Sequence, residues 1–284
     1  MARTLPTYGW IGLATIIVSQ AATFARIEPF YHWHTPIAWT GYILWADAFV
    51  WTRRGSSWLR NNPGEMLFLA AVSVPLWVVF ELYNKYALRN WHYVGLPEVL
   101  LLRYFGYVWA FATISPAIFE TGELVSCLRD RRASPHRADR PLPLRPTPVA
   151  IASVLAGAAM LAFPLVHPSP YLAAPVFLGF VFLLDPINAW AGDQSILEDG
   201  AMGTGDRLIN LLAAGLICGV LWEAWNYWAG CKWIYSVPIL PDVRLFEMPI
   251  LGFGGFPPFA VECFVMYVAV RRWIYGRAGR AISI

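Results

Sequence analysis

The feature that most limits what this chain can become is a succession of long apolar runs, at roughly residues 8–26, 36–52, 66–88, 101–128, 147–166, 171–191, 208–229 and 250–275. Each approaches or exceeds the ~20 residues that a helix needs to cross a hydrocarbon core. The runs are continuous and do not alternate every second residue, which argues against membrane strands. Only 14% of residues are charged, whereas soluble domains carry about a quarter. The sequence therefore predicts an all-α integral membrane protein with about eight transmembrane helices. Gln20 and Arg26 do not form a small-residue cleavage site, so the first run is expected to stay in place as a helix.

Basic residues give the expected orientation. With the N-terminus on the cytoplasmic side, four further segments share that side: the loop with Arg53, Arg54 and Arg60, a Pro/Arg-rich linker at 129–146, the loop 191–207 and the C-terminal tail. Together with Arg3 they hold 15 of the 21 Lys and Arg residues, a positive-inside bias that puts both termini in the cytoplasm. The same bias explains the basic linker without any nucleic-acid partner. Cys127, Cys218, Cys231 and Cys263 have no CxxC spacing and read as buried free thiols.

The chain also repeats itself. Phe80-Glu81-Leu82-Tyr83-Asn84 and Trp222-Glu223-Ala224-Trp225-Asn226 share the order aromatic–Glu–x–aromatic–Asn, at an offset of 223 − 81 = 142. The same offset relates Trp91 to Trp233, Tyr93 to Tyr235, Pro116 to Pro258 and Glu120 to Glu262. Gly41 and Asp47 match Gly179 and Asp185 at 185 − 47 = 138. Self-similarity at one period marks repeated units. The expectation is two parallel four-helix repeats, 1–128 and 147–284, joined by the linker 129–146, with ligand sites between them.

An Asp or Glu near a helix centre costs at least ~2.5–3.5 kcal/mol on insertion scales. Here Asp47, Glu81, Glu120, Asp185, Glu223 and Glu262 all fall in apolar runs whose few basic residues, Lys85, Arg103, Arg271 and Arg272, lie towards the run ends. They are expected to be protonated or hydrogen-bonded. Asn84 and Asn226 follow their Glu by three residues, on the same helical face, where the amide could orient the carboxyl group. Hydrogen bonding between helices would account for any one of these acids. Their setting points further, because Phe80, Tyr83, Trp222, Trp225, Tyr227 and Trp228 crowd the two Glu-Asn motifs. A carboxylic acid kept neutral in an apolar pocket can donate a proton, and aromatic faces stabilise a resulting cation. That combination suits protonation of an alkene followed by carbocation chemistry.

Other chemistries lack their signatures. The five His residues form no HExxH pattern, and no G-x-S-x-G motif is present, so neither a metal nor another cofactor is expected. Tyr31-His32-Trp33-His34 reads as interfacial. Asp185-Pro186-Ile187-Asn188 followed by Asp193 lacks the spacing of an Asp-rich Mg²⁺ motif.

The repeated order resembles the small membrane-integral lycopene cyclases of bacteria and archaea, found as two short subunits or as their fusion. Those carry a duplicated helical unit with Trp-Asp, a Trp-x-Tyr about ten residues later, a Gly-rich stretch and Pro-x-Glu-Glu. Here Trp222-Glu223, Trp233-Ile234-Tyr235, Gly252 to Gly255 and Pro258 to Glu262 occupy that order, as do Phe80-Glu81, Trp91-His92-Tyr93 and Pro116 to Glu120. Glu stands for Asp, and the Glu pair is single. The resemblance implies proton-initiated ring closure of a carotenoid end group without net redox change.

Three functions fit these features. The first is a membrane-embedded isoprenoid or carotenoid cyclase or isomerase. In it Glu223, Glu262, Glu81 and Glu120 handle protons, Asn84 and Asn226 orient them, and Tyr83, Trp225, Trp233, Tyr235 and Trp91 contact a lipophilic substrate. The second is a non-catalytic lipid- or pigment-binding subunit, compatible with a homo- or hetero-oligomer among membrane lipids. The third is a proton-coupled transporter with the carboxyl groups as relays.

Overall fold

A computed structural model describes residues 4–129 and 143–276, so residues 130–142 of the basic linker lie outside the description. The helices are α1 (Thr7–Phe24), α2 (Phe30–Arg54), α3 (Trp58–Asn61), α4 (Pro63–Tyr83), α5 (Leu100–Leu128), α6 (Pro148–Val166), α7 (Ala173–Trp190), α8 (Ile196–Ala201), α9 (Asp206–Trp228) and α10 (Phe256–Tyr275). A π-helical turn, Asn84–Leu88, extends α4, and 3₁₀ turns at Pro170–Leu172 and Ile250–Gly255 lead into α7 and α10. Four short strands complete the described chain: β1 (Trp91–Val94), β2 (Lys232–Tyr235), β3 (Arg244–Leu245) and β4 (Met248–Pro249).

Local chemistry sets several of these ends. Pro63 and Pro148 open α4 and α6, where the missing N–H is no loss and φ is already helical. Thr147 Oγ1 accepts from Ala150 N at 3.2 Å and caps α6. Asp47 accepts from Leu59 N at 2.8 Å and Ser57 Oγ at 2.9 Å, and Asp185 accepts from Ile196 N at 2.7 Å and Leu197 N at 2.9 Å. Each Asp thus satisfies free N–H groups at the start of a short helix, α3 or α8. Their burial has a structural explanation.

The stretches Pro63–Leu88, Pro148–Val166, Pro170–Trp190, Asp206–Trp228 and Ile250–Tyr275 are long and apolar enough to cross a membrane. Helices α1, α2 and α5, with 18, 25 and 29 residues, have the length. Their Thr, Ser, Gln and His residues, and the polar tips of Tyr and Trp, dilute their hydropathy. The expected eight runs therefore all become helices, but only five share the full apolar character. The described chain is all-α apart from two small ribbons, with the composition of a membrane protein.

Packing follows small residues. A Cβ on Gly12 of α1 would lie 2.4 Å from Gly41 O of α2. One on Gly157 of α6 would lie 2.4 Å from Leu183 N and 2.7 Å from Gly179 O of α7. Backbones meet this closely in membranes when small residues face each other. Helices α5 and α10 each lie against the helix pair of their own part of the chain and also reach across. At one end of the bundle, Arg129 donates to Asp206 Oδ1 at 3.0 Å and Asn210 Oδ1 at 2.7 Å. Arg271 grips Glu65, with Nη2 to Oε2 at 3.0 Å, and Tyr267 donates to the same carboxylate. The two arginines stand 271 − 129 = 142 apart.

At the other end, β1 pairs antiparallel with β2: Trp91 faces Tyr235, His92 faces Ile234 and Tyr93 faces Trp233. The central pair joins residues 234 − 92 = 142 apart. The ribbon comes close to the chain below it: a side chain on Gly95, at φ +67°, would put its Cβ 2.0 Å from Gly230 O.

Candidate functional site

Beneath the ribbon lies a cavity of about 520 Å³ walled by both parts of the chain. The ribbon contributes Trp91, Tyr93, Trp233 and Tyr235, and the helices contribute Trp39, Trp77, Phe177, Trp222 and Phe259 among others. The rings interlock. Trp77 and Trp91 stack with centroids 6.1 Å apart, Trp77 and Trp222 lie 5.7 Å apart, and Trp222 meets Trp233 edge-on at 5.7 Å. Volumes of this size, lined by aromatic rings with a few polar groups, are typical of small-molecule sites.

Two carboxyl groups stand directly behind this wall. Glu81 Oε1 accepts from Tyr93 Oη at 2.6 Å, Trp77 Nε1 at 2.9 Å and Trp91 Nε1 at 3.2 Å. Glu223 Oε1 accepts from Tyr235 Oη at 2.8 Å, and Trp233 Nε1 donates to Tyr235 Oη at 2.8 Å with a longer contact to Glu223 Oε1 at 3.4 Å. Trp is a donor only, so the indoles can serve these carboxyls only as acceptors. Burial, reinforced by Glu81, pushes the Tyr93 hydroxyl well above its ordinary value, and burial with Glu223 does the same for Tyr235. Both phenols therefore stay protonated and donate.

The two arrangements differ in their donors. The position that corresponds to Trp77 is Gly219, since 77 + 142 = 219. The Phe256 ring fills that space, 2.3 Å from where a Gly219 Cβ would be. Glu223 therefore lacks one indole donor, and its Oε2 is buried without a hydrogen-bond partner. Three donors meet at Glu81 and fewer at Glu223, so the Glu81 unit favours a carboxylate more strongly than its partner does. At Glu81 the donors likewise all meet Oε1, so the two units differ in the number of donors and not in which oxygen they reach.

The remaining expected residues divide by location. Glu120 and Glu262 are fully buried in α5 and α10. Neither oxygen of Glu120 has a partner, and Glu262 accepts only from Phe180 N, at 3.3 Å, leaving Oε2 bare. Neither lines the cavity. Tyr83 donates to Leu161 O at 2.9 Å and fastens α4 to α6. Trp225 packs edge-on against Trp39 at 4.8 Å, in the core.

Asn84 and Asn226 do not orient the carboxyl groups. Asn84 Nδ2 donates to Trp91 O at 2.8 Å while its Oδ1 accepts from Asn90 N at 2.7 Å and Trp91 N at 3.2 Å. Asn226 Nδ2 donates to Trp233 O at 2.8 Å and its Oδ1 accepts from Trp233 N at 2.9 Å. Each amide mimics a strand edge and docks one ribbon strand onto its helix. The spacing of three does put Asn on the Glu face, but backbone groups that leave a helix end need partners more than a carboxyl group already served by Tyr and Trp.

Trp77 and Tyr93 join the expected residues at the site, each donating to Glu81. Trp77 stands one turn before Glu81, a spacing that brings side chains together, and Tyr93 is the counterpart of Tyr235. Among the described residues no group of three or more His, Cys, Asp or Glu could hold a metal ion. Comparison with protein-family models, with curated proteins and with solved structures finds no match for this chain.

Proposed function

We propose that the chain is a membrane-embedded cyclase or isomerase of a lipophilic isoprenoid or carotenoid, built from two parallel four-helix repeats of eight spans with both termini cytoplasmic. The observation that carries the reading is the aromatic cavity between the two parts of the chain, backed on each side by a Tyr–Trp–Glu unit. Support for the repeats comes from the self-paired ribbon, the matched Asn docking and the ion pairs of Arg129 and Arg271. The motif order that resembles the membrane-integral lycopene cyclases adds to it.

In this reading Glu223 carries the acid proton. Its hydrogen bond with Tyr235 reverses as the proton passes to the phenol oxygen and the phenol proton passes to an alkene carbon. One C–H bond forms, the π bond breaks, and a carbocation remains above the Trp and Tyr faces. A second alkene closes the ring, and loss of a ring proton to the Glu81 carboxylate, through Tyr93, restores neutrality without redox change. Glu120 and Glu262 would hold protons deeper in the bundle.

Expression in a host that accumulates linear carotenoids or prenyl precursors, followed by lipid analysis, tests this directly. A new cyclic or isomerised product should appear, and Glu223→Gln should abolish it while the protein remains folded in the membrane. Retained turnover in Glu223→Gln would rule out the acid role. One observation favours a second reading, a pigment- or lipid-binding subunit without chemistry: none of the four Glu residues lines the cavity itself. An unaltered lipid that co-purifies, with no new product, would select it.

A further inference from the structure

The residues that line the cavity include no Asp and no Glu among those described, but they include His32, Arg103 and Lys232. Two of these basic groups are already engaged. Lys232 Nζ pairs with Glu247 Oε1 at 2.5 Å and donates to Tyr227 O at 3.3 Å. His32 pairs with Glu28. Arg103 stands apart. Its Nε donates to Pro97 O at 3.0 Å, and its guanidinium has no ion pair among the described residues. Tyr107 and Cys231 share the cavity wall with it.

Position makes this arginine costly. It is the fourth residue of α5, where the positive end of the helix dipole opposes a cation. It is half-buried at the edge of an apolar, aromatic space. Cations in such places pair with acids or serve a function. A guanidinium presents a planar fork of donors that matches phosphate and carboxylate oxygens two at a time.

We propose that the cavity takes an isoprenoid with an oxyanion head group, phosphate or carboxylate, its apolar tail among Trp77, Trp91, Trp222 and Trp233 and its head on Arg103. This rests on the reading of the cavity as an isoprenoid site and narrows it, because a pure hydrocarbon would leave Arg103 unpaired.

The four tryptophans supply the signal for the test. The full chain, in phosphatidylcholine nanodiscs, is titrated with farnesyl diphosphate, farnesol and oleate while indole fluorescence is followed, with empty nanodiscs as control. Farnesyl diphosphate should bind at least about tenfold more tightly than farnesol, the scale of one charge-assisted hydrogen-bonded contact. Arg103→Gln should erase that difference and leave farnesol unaffected, Arg103→Lys should keep part of it, and added salt should weaken only the diphosphate. Equal affinity of wild-type protein for diphosphate and alcohol would overturn the head-group assignment while leaving the cavity reading intact. Failure of all three ligands to bind would overturn the cavity reading itself. Tighter binding of oleate, with the same dependence on Arg103, would reassign the oxyanion to an acyl lipid and overturn the isoprenoid part.

Discussion

Replacing Asn226 by Ala should release the ribbon without unfolding the bundle. The side chain is fully buried and supplies both partners of Trp233, the 2.8 Å bond to its carbonyl and the 2.9 Å bond from its N–H. Truncation leaves two backbone groups unserved, at about 1–3 kcal/mol each when buried. Trp233 is only half-buried, so water recovers part of the loss, and about 2–4 kcal/mol is expected for local opening. That corresponds to a fall of about 30- to 900-fold in amide protection. Hydrogen exchange with mass spectrometry on the detergent-solubilised protein reads it: peptides over Lys232–Tyr235 and their partner Trp91–Val94 should exchange faster. Peptides from the middle of α10 should not change. Protection of the ribbon within threefold of wild type would refute the docking role, and a loss spread evenly over the bundle would show that Asn226 acts on the whole fold instead.

Two further outcomes follow from other places in the fold. Burial, then the neighbouring Asp199, push Glu198 of α8 up to about 7, against the opposing pull of Arg207, with Asp185 and Asp193 also facing it. Its folded value lies above its unfolded one, so the native state binds the extra proton, and that stability is present at low pH and lost as pH rises through about 7. Exchange in 193–207 should therefore be faster at pH 8 than at pH 5 after correction for intrinsic rates, and Glu198→Gln should flatten the difference. Gly157→Ala should lower thermal stability in detergent by about 1–3 kcal/mol through overpacking, because its Cβ would meet Leu183 N at 2.4 Å. Gly200→Ala, with nothing within 4 Å of its Cβ, should be neutral or slightly stabilising, and a loss there equal to that at Gly157 would sink the close-packing argument.

Helix limits were largely legible in the sequence, because apolar composition and terminal prolines are local signals. The run at 101–128 became Leu100–Leu128, and that at 147–166 became Pro148–Val166. The carboxyl groups were legible as unusual, since an acid in an apolar run stands out wherever it later packs. Their partners were not. Glu81 meets Trp91 and Tyr93 only after the chain has turned back at the π-helical segment, and no periodicity encodes such a return. Asn84 and Asn226 stand out as a pair in sequence, but helical spacing reports a shared face and not the strand that covers it. Arg103 is ordinary in sequence, as one cation near a helix end, and its isolation follows only from a cavity wall that holds no acid among the described residues.

The ribbon carries a consequence for how many chains such a unit needs. His92 lies opposite Ile234, its counterpart on the proposed repeat, and such a contact is one that a polypeptide could make with an identical copy. A chain with a single four-helix unit would leave its strand edge bare and its terminal arginine without an acid, and two molecules together would satisfy both. On the proposed repeat, covalent linkage would supply that pairing in one molecule with a fixed stoichiometry. It also permits something identical subunits cannot have: Trp77 on one side and Gly219 on the other, so that one acid keeps an extra donor and its twin does not. On the chemistry proposed above, that difference would let one of the two acids give a proton and the other take it.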